Sequence, residues 1–189
     1  MMIKDQLYPA WKTLGDSIMD VELVPYGNTR EEKVGTKWQY TCQHGPEECY
    51  GDLIEACAMH HLANISIYFP FIHCIESSTS IPRQSAPGCA QQEGISYVPI
   101  KTCADGPEGN SLEHVLAEKT GALQPPHRYV PWITLNGKHT DEIQREATTD
   151  MKKLVCDTYQ GPKPPACTQE KPMRSCDQHR RLPSINNLL

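Results

Sequence analysis

Apolar residues recur at helical spacing at Ile3, Leu7, Trp11 and Leu14, which predicts an amphipathic helix over residues 2–17, kinked or interrupted at Pro9. The run Val21-Glu22-Leu23-Val24 alternates and is stopped by Pro25 and Gly27, the pattern of a short strand. Trp38-Gln39-Tyr40-Thr41 predicts a second, peripheral strand. Leu53, Ile54, Cys57, Ala58 and Leu62 share one helical face, so a helix is expected over residues 48–68, broken by Pro70. Residues 77–94 are rich in Ser, Pro and Gly and predict a long irregular region, followed by short helices near 95–102 and 111–119. Residues 129–138 read as a strand ending in Asn136-Gly137, a favoured hairpin turn. A last helix is expected over residues 141–159, stopped by Gly161-Pro162, and a polar, proline-rich disordered tail beyond Pro164, pinned where Cys167 or Cys176 is bonded. No internal repeat is present.

Composition narrows the class. The chain has 189 residues, 38% of them hydrophobic, enough for one domain with a real core. A formal charge of -5, with basic residues scattered except for Arg180-Arg181, supplies no field for nucleic acid. The most apolar stretch, residues 65–75, is interrupted by Pro70 and His73 and is too short to span a bilayer. The expectation is therefore no nucleic-acid and no membrane partner.

Nine cysteines, Cys42, Cys49, Cys57, Cys74, Cys89, Cys103, Cys156, Cys167 and Cys176, are many for a reducing compartment. None of them forms a C-x-x-C pair. The odd count leaves one thiol free or bonded outside the chain, and the pairing of the others is open. Asn64-Ile65-Ser66 is a glycosylation sequon, in keeping with a secretory route, and Asn64 is its acceptor. The first residues, Met1-Met2-Ile3-Lys4-Asp5, show no basic start and apolar run of a signal peptide.

Cys42-Gln43-His44-Gly45-Pro46-Glu47-Glu48-Cys49-Tyr50-Gly51-Asp52, continuing to Cys57, resembles the signature of the gamma-interferon-inducible lysosomal thiol reductase family, with Asp52 where Asn is usual. Leu23-Val24-Pro25-Tyr26-Gly27-Asn28, Leu123-Gln124-Pro125-Pro126-His127 and Tyr129-Val130-Pro131-Trp132 through Lys138 are similar to that family as well. The resemblance implies an α/β, thioredoxin-like sheet with a helical, disulfide-stapled insertion at about 37–122. It implies a domain over residues 1–163 and leaves 164–189 as the tail. It also implies reduction of protein disulfides in acidic endosomes and lysosomes, lysosomal or secreted location, a part in antigen processing, and no cofactor. The family's redox pair opens its first helix, where the dipole stabilises a thiolate. Here the pair is expected upstream of Met1 together with a first strand, so the sequence reads as a truncated gene model, fragment or splice form with no catalytic residue of its own. A catalytically inactive short isoform acting as a binding protein is the alternative.

Cys42, Cys49, Cys57, Cys74, Cys89, Cys103, Cys156 and Cys167 are expected to be structural disulfide partners. A zinc site drawing on His44, His60 and His61, or Cys42 as a replacement nucleophile, are the rival readings of the first three; no metal is expected, because spacings of seven and eight are not zinc-knuckle spacings. Pro131 is either an ordinary strand-start proline or, by the resemblance, a cis proline whose pair Val130-Pro131 offers its backbone to a substrate chain. Trp11, Trp38 and Trp132 are read as core, His127 as a surface loop residue and Glu47-Glu48 as a solvated helix start favoured by the dipole.

Overall fold

A computed structural model of the protein describes residues 2–168. The fold is mixed α/β as expected, mostly helical, with a small antiparallel sheet and four disulfides. The predicted first helix forms as a π-helical turn, Ile3–Leu7, running into α1, Tyr8–Leu14. Pro9 lacks an N–H and would clash with a carbonyl one α-turn back; the wider π turn directly before it leaves that room.

β1 (Arg30–Val34) and β2 (Lys37–Thr41) form a hairpin in which Glu31 faces Tyr40 and Lys33 faces Trp38. Gly35, at φ +65, supplies the left-handed backbone that a two-residue turn needs. The hairpin is docked on α6 (Pro107–Gly121). Asn110 clasps the Trp38 backbone from both sides, donating to its carbonyl at 2.8 Å and accepting from its N–H at 3.1 Å. Trp38 stacks on His114 with ring centroids 3.9 Å apart.

The central helix is α2, Pro46–Leu62, packed by α3 (Ile65–Ser77), α4 (Pro82–Gln92), α5 (Tyr97–Ala104) and α6. Ile54, Cys57, Phe71, Ile72, Ala86, Ile100 and Cys103 fill the space between them. A second core lies on the other side of α3. There Phe69 meets Trp11 and Leu14 of α1 and Ala147, Met151 and Leu154 of α7, Asp141–Thr158. The four-residue α8, Pro165–Thr168, carries Cys167 to Cys156.

Several elements differ from the sequence expectation. The helix expected to break at Pro70 breaks instead at Ala63 (φ 52) and Asn64, whose side chain accepts from Ser66 N at 2.9 Å and caps α3. Pro70 sits inside α3. Its cost of about 3 kcal/mol is offset by burying Phe69, Phe71 and Ile72 completely, at roughly 1.5–3 kcal/mol each. The region expected to be irregular contains α4, because Pro82 takes the first helical turn, where no N–H is needed, and Ala86, Cys89 and Ala90 form a buried face of small residues. Residues 21–27 are not a strand. Exposure alternates over residues 21–24 and stops at buried Tyr26, and among the described residues no neighbour ladders with them. Residues 129–138 hold only a bridge between Leu135 and Lys138 across the Asn136-Gly137 turn. The final helix runs as expected, capped by Thr140, which accepts from Ile143 N at 3.1 Å, and is kinked at Asp150. Within the tail expected beyond Pro164, Cys167 is bonded as allowed for, while Cys176, Arg180 and Arg181 lie outside the described residues.

Candidate functional site

Three of the family-like runs, at residues 23–28, 42–52 and 123–127, are far apart in sequence and meet at one open cleft of about 680 Å³, lined by Asn28, Thr29, Cys42, Gln43, His127 and Arg128 among others. Asn28 Nδ2 donates to Gln43 Oε1 at 2.8 Å, tying the first run to the second. Gly27, at φ +57, brings the first run up to the segment that follows His127 and Arg128: a Cβ placed on it would lie 3.5 Å from Val130 Cγ1. The left-handed backbone at this turn suits glycine best.

Val130 is 46% exposed and Pro131 is exposed beside it, and their peptide bond is cis, as is Gln124–Pro125. The backbone here is held from α7. Gln144 donates to the Pro131 carbonyl at 2.9 Å and accepts from Ile133 N at 3.1 Å, doing for this segment what a strand neighbour does in a ladder. Trp132 stacks on His139 with ring centroids 3.4 Å apart, and His139 Nδ1 donates to the Ile133 carbonyl at 2.8 Å. Side-chain clamps thus fix the loop while Val130 and Pro131 face outward.

The opposite wall is the approach to α2. Glu48, in the first turn, reaches back to accept from His44 N at 2.5 Å and meets His44 Nδ1 at 3.1 Å, so it shapes the entry of the helix. Glu47 pairs with Arg83 at 3.3 Å. Both glutamates therefore have partners beyond the helix dipole assigned to them from sequence. Cys42 and Cys49 are bonded across this entry. Thr29 Oγ1 donates to Cys42 Sγ at 3.0 Å, and Asp52 Oδ2 lies 4.0 Å from the same sulfur. Burial, then the carboxylates of Glu48 and Glu76, push the Asp52 carboxyl up to about 7.

Asp52 is one of a group of inward carboxyls. Glu55 and Glu76 share a hydrogen bond, and burial holds the Glu55 carboxyl well above its ordinary range. Glu113 of α6 is 1% exposed, neither of its oxygens has a hydrogen-bond partner, and burial followed by Asp52 and Glu31 raises it to about 9. These groups carry protons at acidic pH, which removes the cost of burying charge.

The remaining disulfides join Cys57 to Cys103, Cys74 to Cys89 and Cys156 to Cys167. All eight cysteines among the described residues are thus bonded, and no thiol nucleophile stands in the cleft. Metal-type donors come together among the described residues at His61, Cys103 and Glu108, where the Cys103 sulfur is committed to its disulfide. His44 points to Glu48, while His60 and His61 both face Glu108, at 3.5 and 3.1 Å. Trp11 is core as read; Trp38 and Trp132 stack on histidines at the periphery. Asn64 is exposed, and its Oδ1 is used in the cap, which leaves Nδ2 outside that bond. The non-local partners of Cys42, Thr29 and Asp52, were not identifiable from spacing.

The cleft sets the Cys42–Cys49 disulfide beside the His127–Arg128 loop that leads into the cis Val130–Pro131 bond. The family model of the gamma interferon inducible lysosomal thiol reductase matches residues 1–93. The chain is 44% identical over 165 residues to a gamma-interferon-inducible lysosomal thiol reductase of Carassius auratus, covering 87% of this chain and 64% of the relative. It is 34% identical over 180 residues to that of Mus musculus, covering 93% and 69%. A gamma-interferon-responsive lysosomal thiol protein of Arabidopsis thaliana is 36% identical over 145 residues, 77% of this chain and 58% of the relative. The chain belongs to the gamma-interferon-inducible lysosomal thiol reductase family, and it spans about two thirds of the length of the first two of these relatives.

Proposed function

We propose that the complete protein is a thiol oxidoreductase that reduces disulfides of protein substrates in acidic endosomes and lysosomes, through a C-x-x-C pair lying outside these 189 residues. The observation that supports it best is the convergence of the three family-like runs on one cleft. An extended substrate segment would lie along exposed Val130 and Pro131, with the His127–Arg128 wall beside it. The buried carboxyls agree with work at low pH. Among the described residues no helix is long and apolar enough to cross a membrane. Passage through the secretory route, glycosylation at Asn64 and a role in antigen processing belong to the same proposal.

A second reading rests on a specific observation: every described cysteine is bonded. On that reading the 189 residues are a short isoform that binds substrate chains without turning them over. The two are separated by purifying the endogenous protein, mapping its N-terminal peptides and assaying reduction of a disulfide-linked fluorogenic peptide at pH 5. Upstream peptides containing C-x-x-C, with turnover abolished by their alkylation, support the reductase. A mature protein starting at Met1 that binds the peptide without reducing it supports the isoform.

A further inference from the structure

Among the described disulfides, Cys42–Cys49 has both a hydroxyl and a carboxyl against its sulfur, whereas Cys74 has the Gln92 amide oxygen 4.0 Å away. Cys57 and Cys103 are 0% and 1% exposed and face apolar side chains of α2, α3 and α5. Cys42 instead lines the open cleft, receives the Thr29 hydroxyl at 3.0 Å, and has the Asp52 carboxyl 4.0 Å away. Cys49, the more exposed of the two, stands in the first turn of α2, where the helix dipole favours a thiolate. A sulfur leaving as a thiolate needs what surrounds Cys42: a hydroxyl to hold the charge and an acid to quench it.

We propose that Cys42–Cys49 is a second thiol–disulfide exchange site in this chain, additional to any C-x-x-C pair, with Asp52 as proton donor to the departing Cys42 sulfur. A thiolate of a substrate polypeptide attacks Cys49 Sγ. The Cys42–Cys49 bond breaks, a mixed disulfide forms at Cys49, and the electron pair leaves on Cys42 Sγ, which takes the proton of Asp52. A second substrate thiolate displaces Cys49, so the substrate gains one disulfide and the protein becomes a dithiol. Run backwards, the same steps reduce a substrate disulfide. The site rests on the thiol–disulfide reading above but needs no residue outside the chain.

Asp52 is surrounded by acids: Glu48 and Glu55 on its own helix, Glu76 from α3 and Glu113 from α6, with Tyr26 from the turn before β1. Burial first, and then the charges of Glu48 and Glu76, keep it protonated up to about 7.

The test uses the full protein and reduced glutathione as the thiol. Samples taken from pH 5 to 8 are quenched in acid, alkylated and peptide-mapped, and opening rates are expressed per glutathione thiolate. Cys42–Cys49 is expected to open at least about tenfold faster than Cys57–Cys103, with a rate per thiolate that falls as pH rises through about 7. Asp52→Asn should keep the protein folded and flatten that fall; Thr29→Val should slow opening about threefold to tenfold without moving the break. Opening no faster than Cys57–Cys103, or a wild-type rate without a break near neutrality, overturns the proposal even if Asp52→Asn misfolds. An unchanged profile in a folded Asp52→Asn overturns the role of Asp52. Loss of peptide reduction on alkylating an upstream C-x-x-C, by contrast, bears only on the family reading.

Discussion

α2 carries two cysteine bridges, one in its first turn and one two turns further on, and their surroundings are opposites. At Cys57 the bridge is sealed in aliphatic and aromatic side chains and ties together parts of the chain 46 residues apart. At Cys49 the bridge spans seven residues, borders a cleft and touches a hydroxyl and a carboxyl. Chain-entropy reasoning assigns about 4 kcal/mol to the longer loop and about 2.5 kcal/mol to the shorter. Of these two, the bridge that contributes less to stability and is more accessible is the one the fold can tolerate opening. Chemistry and stability thus divide along a single helix, with Asp52 and Glu55 in between.

The sharpest way to break this comparison is to remove each bridge. Replacing both Cys57 and Cys103 by Ser should lower stability by about 4 kcal/mol in denaturant titration, the largest effect expected here. Equal losses on removing Cys42 and Cys49 would show that the two bridges do not differ.

The next effect is pH. Unfolded carboxyls ionise in their ordinary range, whereas in the fold Asp52 holds its proton to about 7 and Glu113 to about 9. Groups raised in this way impose no penalty below their unfolded values, and the stability they leave intact is lost as pH climbs through the folded ones. Tm should therefore be highest near pH 4–5 and fall by roughly 5–10 °C on going to pH 8. Glu113→Gln should shrink that fall, and a Tm that rises with pH would refute the sign.

Removing Cys42 and Cys49 together should cost about 2.5 kcal/mol and leave the α2–α5 core cooperative, read by hydrogen exchange. The smallest expected change is Gln144→Ala. Losing the clamp on Pro131 and Ile133 should cost about 1 kcal/mol and speed amide exchange at Ile133, with little effect at α2.

How much of this was legible in the sequence depended on what each pattern reports. Large apolar residues at regular spacing located α1, α7 and the start of α2, and Asn136-Gly137 located a turn. α4 escaped because its buried face is made of Ala86, Cys89 and Ala90, set among prolines and a glycine. β1 escaped because Arg30, Glu31, Glu32 and Lys33 are charged, their pairing being decided by the turn at Gly35 and the docking of β2 on α6. Alternation at residues 21–24 reports which side faces inward, but it cannot report a ladder, which requires a neighbour. The cysteines stood out by type. Asp52 stood out only as a departure from the family pattern, and its closeness to Cys42 comes from a helical entry shaped by Glu48 and His44, a tertiary matter no local spacing encodes.

The two larger cores of the described residues would ordinarily invite two melting steps. Here α3 is a party wall: Phe69 belongs to the side of α1 and α7, while Phe71 and Ile72 belong to the side of α2, α4 and α5. Neither half can loosen without baring the far face of that shared helix to water, so heat should find one structure to take apart rather than two.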